Sequence, residues 1–134
     1  MRSIKICIGS NDQENIAKTH MGDTDFFLIY ELFENSKNEF IEKRVNLAKS
    51  MPHGKADKMK AIIKLVADVD VFVAQQKSLN FINIASTTKY QPVIVEVEKI
   101  SDILKVLNDA FSDIYKYVLE RKKGEYFNNI PKLK

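Results

Sequence analysis

Cysteine occurs once in this chain, as Cys7, and that scarcity excludes two things. No internal disulfide can form, and no iron-sulfur centre can be held by several thiolates of one chain, so any metal ligation must rest on other residue types. Nothing near Cys7 in sequence would activate its thiol, which reads as an inert core residue. Long apolar runs are also missing. Lys5 interrupts the first hydrophobic stretch, and no later one nears the about 18 uninterrupted residues of a membrane span, so a soluble cytoplasmic protein that touches no membrane is expected. The chain has no phosphate-binding glycine loop, no dinucleotide glycine fingerprint, no zinc-binding helix motif and no nucleophile triad. Its net charge of +3 is too small to mark a nucleic-acid partner.

What is present suffices for one core: 134 residues, 45% of them hydrophobic, fit a single domain without disulfides. Charge is uneven, with six Lys or Arg against two Glu from Lys116 onward, which reads as a solvated helix end where cations meet the negative end of the dipole. Ile4, Ile6 and Ile8 alternate with Lys5 and Cys7 until Gly9-Ser10-Asn11-Asp12, giving a strand that ends in a turn-rich loop. Residues 26–33 and 40–46 form a hairpin whose charged second strand suits a sheet edge. Met59, Ile62, Ile63 and Val66 predict an amphipathic helix over residues 56–67, with Lys58, Lys60 and Lys64 away from its apolar face. Residues 69–74 suit a strand covered on both faces, Ser78 caps a helix reaching Thr87, and residues 91–97 form another strand. Ser101 is the expected N-cap of one long final helix that carries Ile103, Leu104, Leu107, Phe111, Ile114 and Val118 on one face and stops at Gly124. Residues 1–123 are thus expected to be one α/β domain, and 124–134 a tail that its aromatics can dock. The order β-β-β-α-β-α-β-α predicts a mixed sheet with helices on its faces.

The opening segment Ile4 to Asp12, the His20-Met21-Gly22 loop, and Phe27-Leu28-Ile29-Tyr30-Glu31 together resemble the dinitrogenase iron-molybdenum cofactor biosynthesis family, the small domain of NifX-like proteins and of the C-terminal part of NifB-like proteins. The likeness runs from about Ile4 to Phe111 and is specific in its first third. It implies a ribonuclease H-like fold with a five-stranded mixed sheet in the order 3-2-1-4-5. It also implies non-enzymatic binding or delivery of an iron-sulfur or iron-molybdenum type cluster, or its precursor, during metallocofactor assembly for nitrogen fixation. The implied partner is another assembly protein or the target apo-enzyme. The chain departs from the family pattern in three places: Met21 stands where the loop usually has an aromatic, Ala74-Gln75-Gln76-Lys77-Ser78 replaces a glycine-rich turn, and Lys89-Tyr90 replaces Gly-Ile before the fifth strand. Those departures open an alternative, a cluster-free interaction or regulatory protein of the same fold.

Independently of the resemblance, a histidine and a glycine in a polar loop leading into a strand can present an imidazole beside exposed backbone. Binding at the carboxyl ends of parallel strands puts Asn11, Asp12 and His20 in one candidate neighbourhood, where Asp12, Asp23 or Asp25 could orient the second ring nitrogen. The resemblance makes His20 the principal metal-ligand candidate and His53, near where relatives carry another histidine, the second. Met21 can fill a gap or offer a soft thioether, the backbone around Gly22 can approach an anion, and Lys77 with the helix start at Ser78 can attract one. A nuclease reading fails: such sites need an acidic residue at the centre of the first strand, where Ile4 to Ile8 offer none, and Asp68, Asp70, Glu96 and Glu98 form no recognisable set.

Overall fold

Alternation in the first strand sorts the side chains into two cores. In β1 (Ser3–Ser10), Ile4, Ile6 and Ile8 point to one side and Cys7 to the other. In the computed structural model, which describes residues 1–52 and 56–134, this strand is central. It pairs antiparallel with β2 (Phe26–Phe33) and parallel with β4 (Val71–Ala74). Outward from β2 runs antiparallel β3 (Asn38–Val45), and outward from β4 run parallel β5 (Gln91–Val95) and then β6 (Lys132–Leu133). The strand order is β3-β2-β1-β4-β5-β6.

Four helices cover the sheet among the described residues: α1 (Ala56–Leu65), α2 (Leu79–Thr87), α3 (Ile100–Asp109) and α4 (Phe111–Lys122). On one face, Ile4, Ile6, Val71, Val73, Val93 and Val95 pack against Ile103 and Leu107 of α3 and Phe111, Ile114 and Val118 of α4. On the other, Cys7, Phe27, Ile29, Phe72 and Ile94 pack against Ile62 of α1 and Phe81 and Ile84 of α2. Strand β4 is buried along its whole length, as its unbroken apolar run requires. Strand β3 is exposed almost throughout and carries the charges of a protected edge, with Ile41 bulged out where Ile29 pairs Glu42 and Tyr30 pairs Phe40.

Several expectations are corrected. The sheet has six strands, not five, because the tail returns: the Ile94 amide donates to Pro131 O at 2.9 Å and the Glu96 amide to Leu133 O at 3.0 Å. The final helix is two helices that meet at Ala110 (φ −99°, ψ 11°), just after the weakly helical pair Asn108-Asp109, and both halves keep their apolar residues in one core. The N-cap of α3 is Lys99 rather than Ser101, since the Asn15–Lys99 bridge and the Ile100 amide bonded to Glu14 O draw the chain into the helix early. Strand β5 ends at Val95 instead of reaching Val97. Arg121 is buried, not part of a solvated basic end, and so is Lys58. Helix α4 stops as expected: Gly124 (φ +89°) adopts the left-handed conformation, its amide donates to Arg121 O at 3.0 Å, and the Glu125 amide reaches Glu120 O at 3.1 Å.

Candidate functional site

The loops that follow β1, β4 and β5 meet at the carboxyl ends of the parallel strands. The first is the longest, residues 11–25, and its second half is a single 3-10 turn, Met21–Asp23, entered through His20. Two glycines let this turn sit where it does. A Cβ on Gly9 would lie 2.8 Å from Thr24 Cγ2, so only glycine in β1 admits the turn against the strand. A Cβ on Gly22 would lie 2.7 Å from Ile62 Cδ1, the mobile end of that side chain, so glycine here lets α1 pack on the turn with Ile62 in its present rotamer.

Hydrogen bonds then fix the turn. Asp23 N donates to His20 O at 2.9 Å, and the Thr24 hydroxyl to Met21 O at 2.9 Å. From the far side, the buried Asn46 side chain donates to Gly22 O at 2.9 Å and Thr24 O at 2.8 Å. Asn11 Oδ1 accepts the Asp25 amide at 2.9 Å, joining the two ends of the loop. Ion pairs from Lys58 to Asp23 and from Lys49 to Asp25 complete the frame.

A pocket of about 30 Å³ lies between the turn, α1 and α2. His20, Met21 and Gly22 line it from the loop, Lys58 and Ile62 from α1, and Ser78, Asn80 and Phe81 from α2. His20 is half-buried, whereas Met21 is buried in the core cluster, where it fills space. Ser78 caps α2 by accepting the Phe81 amide at 3.1 Å, and Lys77 beside it is exposed. Thus three of the expected residues, His20, Met21 and Gly22, come together with the start of α2. Asp12 and Asn11 line a separate open groove with Lys18 and Glu98. The Asp12 carboxylate organises its own loop: it accepts the amides of Asn15 at 2.8 Å and Glu14 at 2.9 Å and the Asn15 side chain at 3.0 Å, which together hold its pKa down at about 2. His53 lies outside the described residues.

Three features escaped the sequence reading. Lys58 was assigned to the solvated face of α1, yet it is 2% exposed and paired with Asp23; the readable sign was its position one turn before Ile62 on the same face. Gln75 and Gln76, standing where the family has a glycine-rich turn, fasten the β4 loop to its neighbours: Gln75 donates to Val97 O and Gln76 to Lys18 O, each at 3.1 Å. Asn46 gave no sign at all, because its partners are main-chain oxygens more than twenty residues away in sequence. Cys7 is fully buried, and desolvation pushes its thiol far above the usual range, so it stays protonated.

Among the described residues no three His, Cys, Asp or Glu side chains are grouped to hold a metal ion, and no helix is long and apolar enough to cross a membrane. The arrangement is an α/β fold in which a pinned loop presents one imidazole at a small, largely apolar pocket where parallel strands end. Residues 2–110 match the family model described as dinitrogenase iron-molybdenum cofactor, and the chain belongs to that family. The matched segment ends at the break between α3 and α4. A search of curated proteins finds no match.

Proposed function

We propose that this protein is a non-enzymatic, cytoplasmic carrier on a ribonuclease H-like frame. It binds an iron-sulfur or iron-molybdenum type cluster, or its precursor, as cargo and delivers it to an assembly protein or apo-enzyme. The observation that carries this reading is the joining of the His20-Met21-Gly22 turn and the start of α2 around one pocket, in a chain whose family is tied by name to the iron-molybdenum cofactor. About 30 Å³ holds roughly two waters, so a cluster rests at the mouth of the pocket against the His20 imidazole and does not enter it. Neutral imidazole is a suitable ligand for iron, and His53 is the second proposed one. Lys77 and the first turn of α2 offset the negative charge of the cargo. With no second cysteine to clamp the iron, attachment is weak enough to be reversed.

The test is anaerobic reconstitution followed by metal analysis and visible absorption. His20→Ala should lower bound metal severalfold with an unchanged unfolding transition; equal retention in wild type and variant rejects His20 as the principal ligand. A second reading, a cluster-free interaction protein, draws on Gln75 and Gln76, whose side chains close the loops where glycines would leave backbone open to cargo. Wild-type protein that emerges from reconstitution without metal supports that second reading.

A further inference from the structure

The sheet ends on one side in a two-residue strand, β6, and on the other in eight-residue β3. Long edges are commonly blunted by charge, and β3 carries Glu39, Glu42, Lys43 and Arg44. It also exposes hydrocarbon: Phe40, Ile41 and Val45 are 55%, 39% and 56% exposed. Hydrogen bonds at the two ends of the hairpin show which main-chain groups of β3 face outward. Phe33 N donates to Lys37 O and Asn46 N to Asp25 O, each at 2.9 Å, so Lys37 and Asn46 bond inward. Alternation from those ends turns the amides and carbonyls of Asn38, Phe40, Lys43 and Val45 outward, with the bulge at Ile41 taking up the change of phase.

That outward set has a symmetry of its own. Reversed about a point between Ile41 and Glu42, Asn38 falls on Val45 and Phe40 on Lys43, so every outward residue meets an outward residue. The charges follow the same reversal: Glu39 falls on Arg44, and no two like charges meet. The side chains agree as well, since Glu39 and Arg44 share the face of Glu31 and Phe27, while Phe40 and Lys43 share the face of Tyr30 and Leu28. We propose that β3 pairs antiparallel with β3 of a second copy of this chain, across a two-fold axis between Ile41 and Glu42, so that two sheets become one. Each contact then occurs twice: Glu39 joins the other copy's Arg44, which already holds Asp68 and Glu42, and Phe40 lies against the stem of the other copy's Lys43. The charges that turn away a chance strand admit this strand's own reverse. Pairing along so short an edge is weak and reversible. No residue of the His20 pocket lies on β3, so the pairing does not draw on the carrier reading.

The test is sedimentation velocity on the full chain from about 10 µM to about 1 mM, with amide hydrogen exchange at both limits. The mass should rise from one copy toward two, and the Phe40 and Lys43 amides should gain severalfold protection as it does. Lys43→Pro removes an outward amide that β2 does not use and should keep the chain monomeric. Glu39→Arg sets like charges opposite each other at two places and should weaken pairing about tenfold. A chain that stays monomeric across the whole range overturns the proposal. So does a dimer in which those two amides exchange freely, since its contact lies on another face. Glu39→Arg that pairs as tightly as wild type overturns it too, whether or not Lys43→Pro folds.

Discussion

Replacing Arg121 with alanine should loosen the whole C-terminal end of the chain. The guanidinium is 1% exposed and makes four hydrogen bonds, all to uncharged acceptors: Gln91 Oε1 at 2.7 Å, Ala85 O at 2.7 Å, Thr88 O at 3.1 Å and Phe127 O at 2.9 Å. It also stacks over the Phe127 ring at 4.5 Å. Burial pulls its pKa down from the ordinary arginine value, the expected sign for a cation whose hydration is replaced by dipoles alone. At about 1.5–3 kcal/mol for each bond to a charged group, the gross gain is about 6–12 kcal/mol. Desolvation removes several of those, leaving a net loss on truncation of about 2–5 kcal/mol. With a urea m-value of about 1.5 kcal/mol/M, that is a midpoint lowered by about 1–3 M. Hydrogen exchange localises the damage, since the Ile94 and Glu96 amides are bonded to Pro131 and Leu133 and should lose protection first. Arg121→Lys should be nearly as damaging, because an ammonium cannot reproduce the planar fork that spans α2, β5 and the tail. A stability change below about 1 kcal/mol, with both amides still protected, would refute the reasoning.

Two further outcomes test a close approach beneath the turn and an ion pair beside α1. Gly9→Ala puts a methyl 2.8 Å from Thr24 Cγ2 and 3.3 Å from Met21 Cγ, beneath a hydrogen-bonded turn, and should cost about 1–3 kcal/mol by denaturation; a neutral result would mean that the turn lifts off β1 freely. Asp68 is held at about 2, below its ordinary 3.8, chiefly by its hydrogen bonds from Arg44 at 2.6 and 2.8 Å. A depressed carboxylate stabilises the fold above its unfolded-state value, so the advantage of wild type over Asp68→Asn should be fully present above 3.8 and vanish as the pH falls through about 2; a stability gap that stays constant across that interval contradicts the assignment.

The strand pattern was legible because burial enforces it. Ile4, Ile6 and Ile8 alternate since one side of β1 meets α3 and α4, while Val71 to Ala74 run apolar since both sides of β4 are covered. The sixth strand was not legible, because two residues held by main-chain pairing and by a distant arginine leave no periodicity to read. Arg121 looked like part of a solvated basic helix end, and the chemistry that buries it belongs to Gln91 and Phe127, far apart in sequence. At the site, the loop carrying His20, Met21 and Gly22, in which the structure places a single 3-10 turn, was legible as a polar loop leading into a strand. The elements that hold it were not: Asn46 and Lys58 act through partners that only the closed fold brings near.

On the proposed carrier reading the protein must hold its cargo and also release it, and those demands would fall on different parts of this structure. Rigidity comes from residues outside the pocket lining: Gly9 seats the turn on β1, Asn11 ties its end, and Asn46 bonds two of its carbonyl oxygens. A loop pinned in this way has little conformational entropy left to lose when cargo arrives, so even one imidazole can contribute usefully to binding. If His20 is the ligand, lability would come from having so few donors, since a monodentate histidine can be replaced by a partner's donor one bond at a time. Adding a cysteine beside His20 would therefore tighten retention while impairing transfer. That opposition between affinity and delivery is the behaviour that separates a carrier from a protein with a resident metal centre.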